Sequence, residues 1–236
     1  PNEIAQNQAF CCTNGLDLPA NSGARVWMHN NFLVERSGKM SKSSGEFLRL
    51  QLLIDKGYSP LAYRLMCLQA HYRRELEFSW EGLSAALTRL KRMLIAMGQL
   101  KERAGEGGAQ PGPRFTPFLE RFDAAVSDDL NTPVALTVFE EVLALKKVDA
   151  SEKLAALAAM DAVLGLGLLS LDRKALRLKP KGVEIAETEI EAALEARKAA
   201  RADKDFARSD ALRDDLAAKG VEVMDGDPLG WEWKLV

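Results

Sequence analysis

The stretch Gly38-Lys39-Met40-Ser41-Lys42-Ser43-Ser44-Gly45 is the most distinctive in this sequence. Between its two glycines it holds two lysines and three serines, and little that could help a hydrophobic core. Lysine side chains are long, mobile point charges that suit polyphosphates, and serine hydroxyls and loop amides can donate hydrogen bonds to phosphate oxygens. A solvated basic hairpin tip or a phosphorylation site has the same composition. The loop alone therefore leaves a phosphate-binding and a structural interpretation open.

The bulk composition is that of a soluble globular protein with room for one large or two modest domains. Of the 236 residues, 47% are hydrophobic and 28% are charged. The 32 basic and 34 acidic residues nearly cancel, so any contact with RNA must use local basic patches. No apolar run in this sequence approaches the roughly 20 residues that span a bilayer. We therefore expect no membrane partner, and we expect no secretory leader.

The cysteines favour a reducing compartment, which predicts a cytoplasmic location. There are three of them, and the adjacent pair Cys11 and Cys12 lacks the spacing of a structural zinc knuckle. With only two histidines, His29 and His71, a metal site built from this chain alone is not expected. The sequence opens on Pro1 rather than methionine, from which we expect further residues upstream.

From residue 59 onward the pattern is helical. Ser59-Pro60 predicts the start of a helix that runs to about Gln69, and Ser79 predicts the start of a second helix. The apolar residues that recur along this second helix are Leu83, Leu87, Leu90, Leu94 and Met97. After a flexible linker at 104–114, further helices are predicted at about 115–126, 132–145 and 151–165. The inward positions predicted for the last two are Val134, Val138, Val142 and Leu145, then Leu154, Leu157, Met160 and Leu164. These helices together predict an antiparallel bundle.

Shorter elements are predicted at both ends of the chain. Val26-Trp27-Met28 and Phe32-Leu33-Val34 are apolar runs that could be strands. Helices at about 188–202 and 205–218 are followed by Gly220 and an alternating tail, which predicts a terminal hairpin.

Several segments of the chain resemble one family. Lys39-Met40-Ser41-Lys42-Ser43 is the full second signature of class I aminoacyl-tRNA synthetases. The segments around it resemble, in order, those of cysteinyl-tRNA synthetases: Asn2-Glu3-Ile4-Ala5-Gln6, Trp27-Met28-His29-Asn30, Ala70-His71-Tyr72-Arg73, Asp128-Asp129-Leu130-Asn131-Thr132-Pro133, Lys204-Asp205-Phe206-Ala207 and Gly230-Trp231-Glu232-Trp233. The chain departs from the family pattern in the longer segment from Ala9 to Arg25 and in Arg74, where a serine is usual. The family's His-x-Gly-His element is not in this sequence.

The resemblance implies a mainly α fold in three parts. Residues 1–78 would hold a small α/β remnant of the class I catalytic region with the signature loop. Residues 79–170 would form the helical anticodon-binding bundle, and 171–236 a carboxyl-terminal anticodon-recognition subdomain made of a helix pair and a hairpin.

The resemblance also implies a reaction. The family activates cysteine with ATP and Mg²⁺ and transfers it to tRNA(Cys), as a cysteine–tRNA ligase. Lys39 and Lys42 would be the catalytic residues that hold the β- and γ-phosphates, and Met40, Ser41 and Ser43 would complete the ATP-binding loop. The 236-residue chain alone is expected to be inactive, because catalysis would need a missing amino-terminal catalytic half as its partner. Without that half, we also expect the signature loop to be mobile.

Two other functions stay open at this point. One is a non-catalytic tRNA-binding module that lacks the nucleotide-binding half. The other is a ligase that couples cysteine to an amine sugar. Such enzymes are expected to lack the carboxyl-terminal tail, so the presence of residues 186–236 argues against this function.

The family's zinc ion recognises the substrate thiolate, and Glu3 matches one of its ligands. The other ligands would lie upstream, so zinc is expected in the full-length enzyme but not in this chain. His29 is assigned to packing near the loop, whereas His71 and Arg73 are weaker candidates for contacts with substrate or the tRNA end.

Two sets of residues near the carboxyl terminus are candidates for RNA binding. Arg197, Arg201, Lys204 and Arg208 fall at steps of four, three and four, and would form one basic stripe if the helix is continuous. Interleaved acidic residues make a solvated helix face equally compatible. Trp231 and Trp233 alternate and share a face, so they could stack on unpaired anticodon bases or close a small core.

Overall fold

The computed structural model of the chain describes residues 5, 6, 9, 26–35, 49–105 and 109–235. The signature loop, Glu3, Cys11 and Cys12 lie outside the described residues, and so do the predictions about them, including the mobility of the loop.

Helices dominate the described chain, and most begin and end where the sequence predicts. In chain order the elements are β1 (Leu33–Glu35), α1 (Leu50–Asp55), α2 (Pro60–Leu68), β2 (Leu76–Phe78), α3 (Trp80–Ala104), a 3₁₀ turn (Pro113–Phe115), α4 (Thr116–Ser127), α5 (Thr132–Ala144), α6 (Ala150–Leu164), a second 3₁₀ turn (Arg173–Leu176), α7 (Glu187–Ala202), α8 (Phe206–Ala218), β3 (Val221–Val223) and β4 (Trp231–Trp233).

The predicted helix starts at Ser59 and Ser79 are confirmed. The Ser59 hydroxyl accepts a hydrogen bond from the Leu61 amide at 3.3 Å, and Pro60 occupies the first turn of α2. The Ser79 hydroxyl accepts one from the Gly82 amide at 3.0 Å. Each cap satisfies an amide that has no partner inside the helix, which fixes where the helix begins.

One continuous hydrophobic core joins α2 through α6, with α3 at its centre. The predicted stripe on α3 is buried along its length, and Phe78, Phe115 and Phe139 fill the space around it. The core runs from Leu53 to Leu176, so it does not stop at the domain boundary predicted between residues 78 and 79. That boundary stays a prediction.

The predicted inward face of α5 is wrong at its first position. Val134 is 47% exposed, whereas Ala135, Leu136, Val138 and Phe139 are buried. Val138 and Val142, four and eight residues further on, are buried as predicted, so the count fails only in the first turn of α5, where the angle at which the helix packs leaves Val134 outside the contact with its neighbours.

The amino-terminal strands form a two-stranded parallel sheet. Leu33 pairs with Leu76 and Glu35 with Phe78. The strand predicted at Phe32-Leu33-Val34 is therefore present with its bounds shifted by one residue, but Val26-Trp27-Met28 has no strand structure.

The predicted helix pair and terminal hairpin are confirmed, and together they enclose a second, smaller core. Helices α7 and α8 pack against each other and against the antiparallel pair β3–β4. The buried residues of this core are Ile185, Ile190, Leu216, Val221, Trp231 and Trp233.

Ion pairs attach this small subdomain to the bundle. Arg173 donates to Asp227 at 2.6 Å and to Glu232 at 2.8 Å, and Lys91 on α3 pairs with the same Glu232. Because these side chains are mostly buried, the pairs hold the hairpin against α3 in a defined orientation.

Candidate functional site

The His-Tyr-Arg stretch meets the Asp-Asp-Leu-Asn turn in space, although 57 residues separate Tyr72 from Asp129. The Tyr72 hydroxyl donates to Asp129 Oδ1 at 2.6 Å, and Arg73 Nε lies 2.6 Å from Oδ2 of the same carboxylate. His71 Nε2 lies 3.8 Å from Oδ2, and its ring stacks on Tyr72 with 4.9 Å between centroids. We name this set of four residues the Asp129 cluster.

Backbone contacts hold the two sides of the Asp129 cluster. The Asn31 amide donates to the Tyr72 carbonyl at 3.0 Å, and Asn31 Nδ2 donates to the Arg73 carbonyl at 3.3 Å, so the segment before β1 is tied to the segment before β2. On the other side, Asp129 (φ 51°) and Leu130 (φ 55°) both adopt the left-handed conformation. This conformation is unfavourable for residues other than glycine, and here the contacts of Asp129 help to hold it.

Charge in the cluster is stabilised by hydrogen bonds. The pKa of Asp129 is lowered, first by the hydrogen bond from Tyr72 and then by that from Arg73. The pKa of Arg73 is raised by its hydrogen bonds to Tyr72 and Asp129. The ion pair is thus intact at neutral pH.

The Asp129 cluster lies at the amino ends of the two strands of the β1–β2 sheet. The loop follows the carboxyl end of β1 at Glu35, whereas Asn31 and Tyr72 precede the amino ends of the two parallel strands. Nucleotides bind at the carboxyl ends of parallel strands. Three strand residues span about 10 Å, which is the length of β1 between the Asp129 cluster and Glu35, the last residue of the strand. His29, expected to pack near the loop, has an exposed side chain.

The condition for a single basic stripe, one continuous helix from Arg197 to Arg208, is not met. Helix α7 ends at Ala202 and α8 begins at Phe206, with Lys204 between them at φ 60°, so the four cations do not share one helix face. Arg197 is 7% exposed, and its Nη1 and Nη2 donate to the two oxygens of Asp225 at 2.6 and 2.9 Å. Both of its terminal nitrogens are therefore engaged within the subdomain. Arg201, Lys204 and Arg208 are exposed, and Arg201 Nη1 also lies 3.2 Å from Asp225 Oδ1.

The two tryptophans close the small core, as one of the two interpretations predicted. Trp231 and Trp233 are buried and pack edge to face with 4.8 Å between ring centroids. The Arg177 guanidinium lies 3.5 Å from the Trp231 centroid, and the Lys179 ammonium lies 5.6 Å from that of Trp233. With these ring faces covered, neither residue can stack on a base in this structure, and the prediction of base stacking is withdrawn.

Sequence reasoning missed Phe206 as a candidate RNA contact. Its side chain is 61% exposed at the first residue of α8, beside the exposed Lys204 and Arg208. Asp205 caps this helix by accepting a hydrogen bond from the Arg208 amide at 3.0 Å, which fixes the start of α8 and leaves the Phe206 ring outward. The signal in the sequence was the Lys-Asp-Phe-Ala segment, in which an aromatic residue directly follows a capping residue.

Neither a metal centre nor a membrane span is found in the part of the chain that the structure describes. Within residues 26–35, 49–105 and 109–235, no three or more His, Cys, Asp or Glu side chains are grouped so that they could hold a metal ion. None of the helices described above is long and apolar enough to cross a membrane.

Comparison with known proteins accounts for both ends of the chain. The model of the tRNA synthetases class I (C) catalytic domain matches residues 1–88, and that of the cysteinyl-tRNA ligase anticodon binding domain matches residues 186–228. A cysteine–tRNA ligase of Novosphingobium aromaticivorans is 88% identical over 235 residues, which are 100% of this chain and 48% of the relative. The chain belongs to the cysteine–tRNA ligase family.

Other cysteine–tRNA ligases are similar over nearly the whole chain. That of Zymomonas mobilis is 49% identical over 264 residues, covering 99% of this chain and 50% of its own length. Cysteine–tRNA ligase 1 of Burkholderia lata is 41% identical over 225 residues, which cover 95% of this chain and 43% of the relative's length. The chain spans about half the length of the curated relatives it matches.

The matched ranges divide the candidate site. The signature loop and His71, Tyr72 and Arg73 fall within the range of the catalytic-domain model, and Phe206 falls within that of the anticodon-binding model. Asp129 lies between the two ranges, in the bundle. The Asp129 cluster therefore connects the catalytic part of a cysteine–tRNA ligase sequence to the helices that follow it.

Proposed function

We propose that this chain supplies the signature loop and the tRNA-binding region of a cysteine–tRNA ligase. The observation that carries this proposal is the 88% identity to such a ligase over the whole chain, in a sequence that retains Lys39-Met40-Ser41-Lys42-Ser43. The reaction is the ATP-dependent activation of cysteine, with Mg²⁺ accompanying ATP, followed by transfer of cysteine to tRNA(Cys).

The two lysines of the loop carry the chemistry that this chain adds. Lys39 and Lys42 bind the β- and γ-phosphates and stabilise the negative charge that builds up on pyrophosphate as it leaves. Met40, Ser41 and Ser43 complete the loop, and the serine hydroxyls donate to phosphate oxygens. These roles need the remaining half of the active site, so we predict no activity for the chain alone.

Zinc does not enter this proposal as a step. Glu3 matches one ligand of the family's zinc ion, but a single carboxylate does not make a four-coordinate site. Cysteine recognition through zinc therefore belongs to ligands outside this chain.

The exposed residues at the α7–α8 corner are the proposed anticodon-reading surface. Phe206 offers a ring face on which an unpaired base can stack. Lys204 and Arg208, two residues to either side of it, and Arg201 at the end of α7 are exposed cations that attract phosphates, although Arg201 also pairs with Asp225. An exposed aromatic ring beside exposed cations is the combination that single-stranded loops of RNA require. Arg197 contributes indirectly, because its pair with Asp225 joins α7 to the turn after β3.

A complementation experiment tests the catalytic part. The chain is mixed with a separately produced amino-terminal half of the Novosphingobium aromaticivorans ligase, and cysteine-dependent ATP–pyrophosphate exchange is measured. Exchange should appear only in the mixture and should be lost in Lys42→Ala, with Lys181→Ala as the matched control outside the loop.

The second candidate function is a tRNA-binding module without catalysis, favoured by the exposed Phe206 surface alone. If exchange never appears in the mixture while the chain still binds tRNA(Cys), this second function replaces the first. The cytoplasmic location inferred from the cysteine content also stays a prediction.

A further inference from the structure

The Asp129 cluster joins two parts of the chain that serve different steps of the proposed reaction. Three of its members lie within residues 1–88, the range that the class I catalytic-domain model matches, whereas Asp129 lies in the bundle beyond that range. Activation of cysteine with ATP involves small molecules only, whereas transfer of cysteine also needs a correctly placed tRNA. A contact between the two parts can therefore matter to transfer without mattering to activation.

The two ends of the β1–β2 sheet are held by different kinds of contact. At the carboxyl end of β2, Phe78 is 2% exposed and belongs to the main hydrophobic core. At the amino ends, Asn31 donates to the carbonyls of Tyr72 and Arg73, and these two residues reach the bundle through the carboxylate of Asp129. The core fixes one end of the sheet, and polar contacts with a turn of the bundle orient the other.

Three polar groups of the cluster form a closed ring. The Tyr72 hydroxyl and Arg73 Nε each lie 2.6 Å from a different oxygen of Asp129, and Arg73 Nε also donates to the Tyr72 hydroxyl at 3.1 Å. Hydrogen bonds to a charged group are short and directional. Because both carboxylate oxygens are engaged by different side chains, the ring defines one orientation of the turn relative to the strands.

The cluster is suited to defining an orientation more than to stabilising the fold. The side chains of Arg73 and Asp129 are 65% and 41% exposed, and ion pairs this exposed contribute little to stability. The turn that presents the carboxylate is nevertheless strained, since Asp129 and Leu130 are both left-handed. Backbone strain of this kind persists where surrounding contacts impose it, and it concentrates at functional positions.

We propose that Tyr72 and Asp129 are positioning residues for the transfer of cysteine to tRNA(Cys), because their contact sets the orientation of the bundle relative to the catalytic part. In this step a hydroxyl of the terminal ribose of tRNA attacks the carbonyl of cysteinyl adenylate. The ester bond forms, AMP leaves with the electron pair of the broken bond, and the hydroxyl proton is released. Neither residue touches the reacting atoms, and the proposal rests on the proposed function.

The test uses the same mixture of this chain with the amino-terminal half of the Novosphingobium aromaticivorans ligase. Asp129→Ala and Tyr72→Phe break the contact, and Asp128→Ala, which removes an exposed carboxylate one position away, is the matched control. Asp129→Asn is the conservative variant, because asparagine tolerates the left-handed conformation and its side-chain oxygen can accept the hydrogen bond from Tyr72.

Three quantities are measured on each preparation. They are the rate of cysteine-dependent ATP–pyrophosphate exchange, the single-turnover rate of transfer at saturating tRNA(Cys), and the Kd for tRNA(Cys). Exchange reports whether the variant folds and assembles with the amino-terminal half, and the Kd reports whether the cluster itself holds tRNA. The transfer rate is the quantity that a positioning role should change.

Asp129→Ala should slow transfer on the order of tenfold, since a misplacement of about 1 Å can cost up to about a hundredfold. Tyr72→Phe should slow transfer in the same direction, and the double variant should be no slower than Asp129→Ala, because both changes remove one shared contact. Exchange and the Kd for tRNA(Cys) should stay unchanged in all of these variants. Asp129→Asn should lose less of the transfer rate, and Asp128→Ala none.

Several outcomes would overturn the positioning role alone. Equal transfer rates in Asp129→Ala and Asp128→Ala would do so, as would a parallel loss of exchange and transfer, which indicates a role in folding or assembly. A weaker Kd with an unchanged transfer rate would show that the cluster contacts tRNA directly. An unmodified mixture that lacks exchange or transfer would instead overturn the proposed function, on which this inference rests.

Discussion

The Tyr72 hydroxyl donates a 2.6 Å hydrogen bond to Asp129 Oδ1 and so links the segment before β2 to the turn between α4 and α5. Arg73 pairs with the second oxygen of the same carboxylate, at 2.6 Å. Both partners come from segments that resemble the family pattern, and one of them holds a left-handed turn in the bundle. A change in this carboxylate therefore reports on the junction between the catalytic part and the bundle.

Replacing Tyr72 by phenylalanine should raise the pKa of Asp129 toward its ordinary range, because the hydroxyl is the largest cause of its lowering. A carboxylate with a lowered pKa stabilises the fold above its unfolded-state pKa of about 4, and this contribution is lost as the pH falls through the lowered value. Carbon-13 NMR titration of the Asp129 carboxyl measures the shift. Arg74→Gln, in a neighbouring residue with an exposed side chain, is the control and should leave the titration unchanged; a shift of the same size in both variants would contradict the prediction.

Replacing Phe206 by alanine should weaken tRNA(Cys) binding without lowering the melting temperature, since the ring is exposed. The loss of one stacked base corresponds to about 1–3 kcal/mol of binding free energy. Filter binding or fluorescence anisotropy measures it. Phe206→Tyr keeps a ring face and should retain the affinity for tRNA(Cys). Equal weakening of tRNA binding in both variants would contradict a stacking role for Phe206.

Replacing Arg197 by alanine should destabilise the carboxyl-terminal subdomain by about 1–3 kcal/mol, because it removes two charged hydrogen bonds of a mostly buried side chain. The hydrogen bond from Arg197 also lowers the pKa of Asp225, so the pair stabilises the fold at neutral pH, and this contribution is lost as the pH falls from the unfolded-state pKa of about 4 through the lowered value. Urea unfolding at pH 7 and pH 3 should show a smaller difference between variant and unmodified chain at pH 3 than at pH 7. Arg208→Ala, on an exposed side chain, should change neither curve.

Two valines of α5 test which of its faces is buried. Val138→Ala should cost about 2–3 kcal/mol, from two methylene equivalents of lost burial plus the cavity left behind. Val134→Ala should stay within about 0.5 kcal/mol, because that side chain is 47% exposed. Thermal or urea unfolding compares the stabilities of the two variants. Similar losses of stability in both would indicate that Val134 is buried, as the periodicity predicts.

Elements that depend on local chemistry were predicted well. Ser59 and Ser79 cap helices through their own hydroxyls, and the stripe on α3 is buried as its spacing indicates. Predictions that needed the angle between elements did less well. Val134 was placed inward by counting alone, and Val26-Trp27-Met28 is an apolar run without strand structure.

The candidate site divides in the same way. The motifs could be found because each is a short run of adjacent residues, but their meeting at Asp129 joins positions 57 residues apart. The basic stripe failed because α7 and α8 are separate helices, and Phe206 was missed because its exposure depends on which residues of α8 face the small core.

By itself, the sequence determined the family resemblance and the position of most helices, since these follow from residue type and short-range spacing. Phosphate binding by Lys39 and Lys42 stays a prediction that this resemblance implies. Tertiary structure alone decided that Trp231 and Trp233 are core residues, that Arg197 is engaged by Asp225, and that Phe206 faces outward. The physical reason is that burial and ion pairing are properties of contacts between distant segments, and residue type alone does not state which side of an element such contacts will cover.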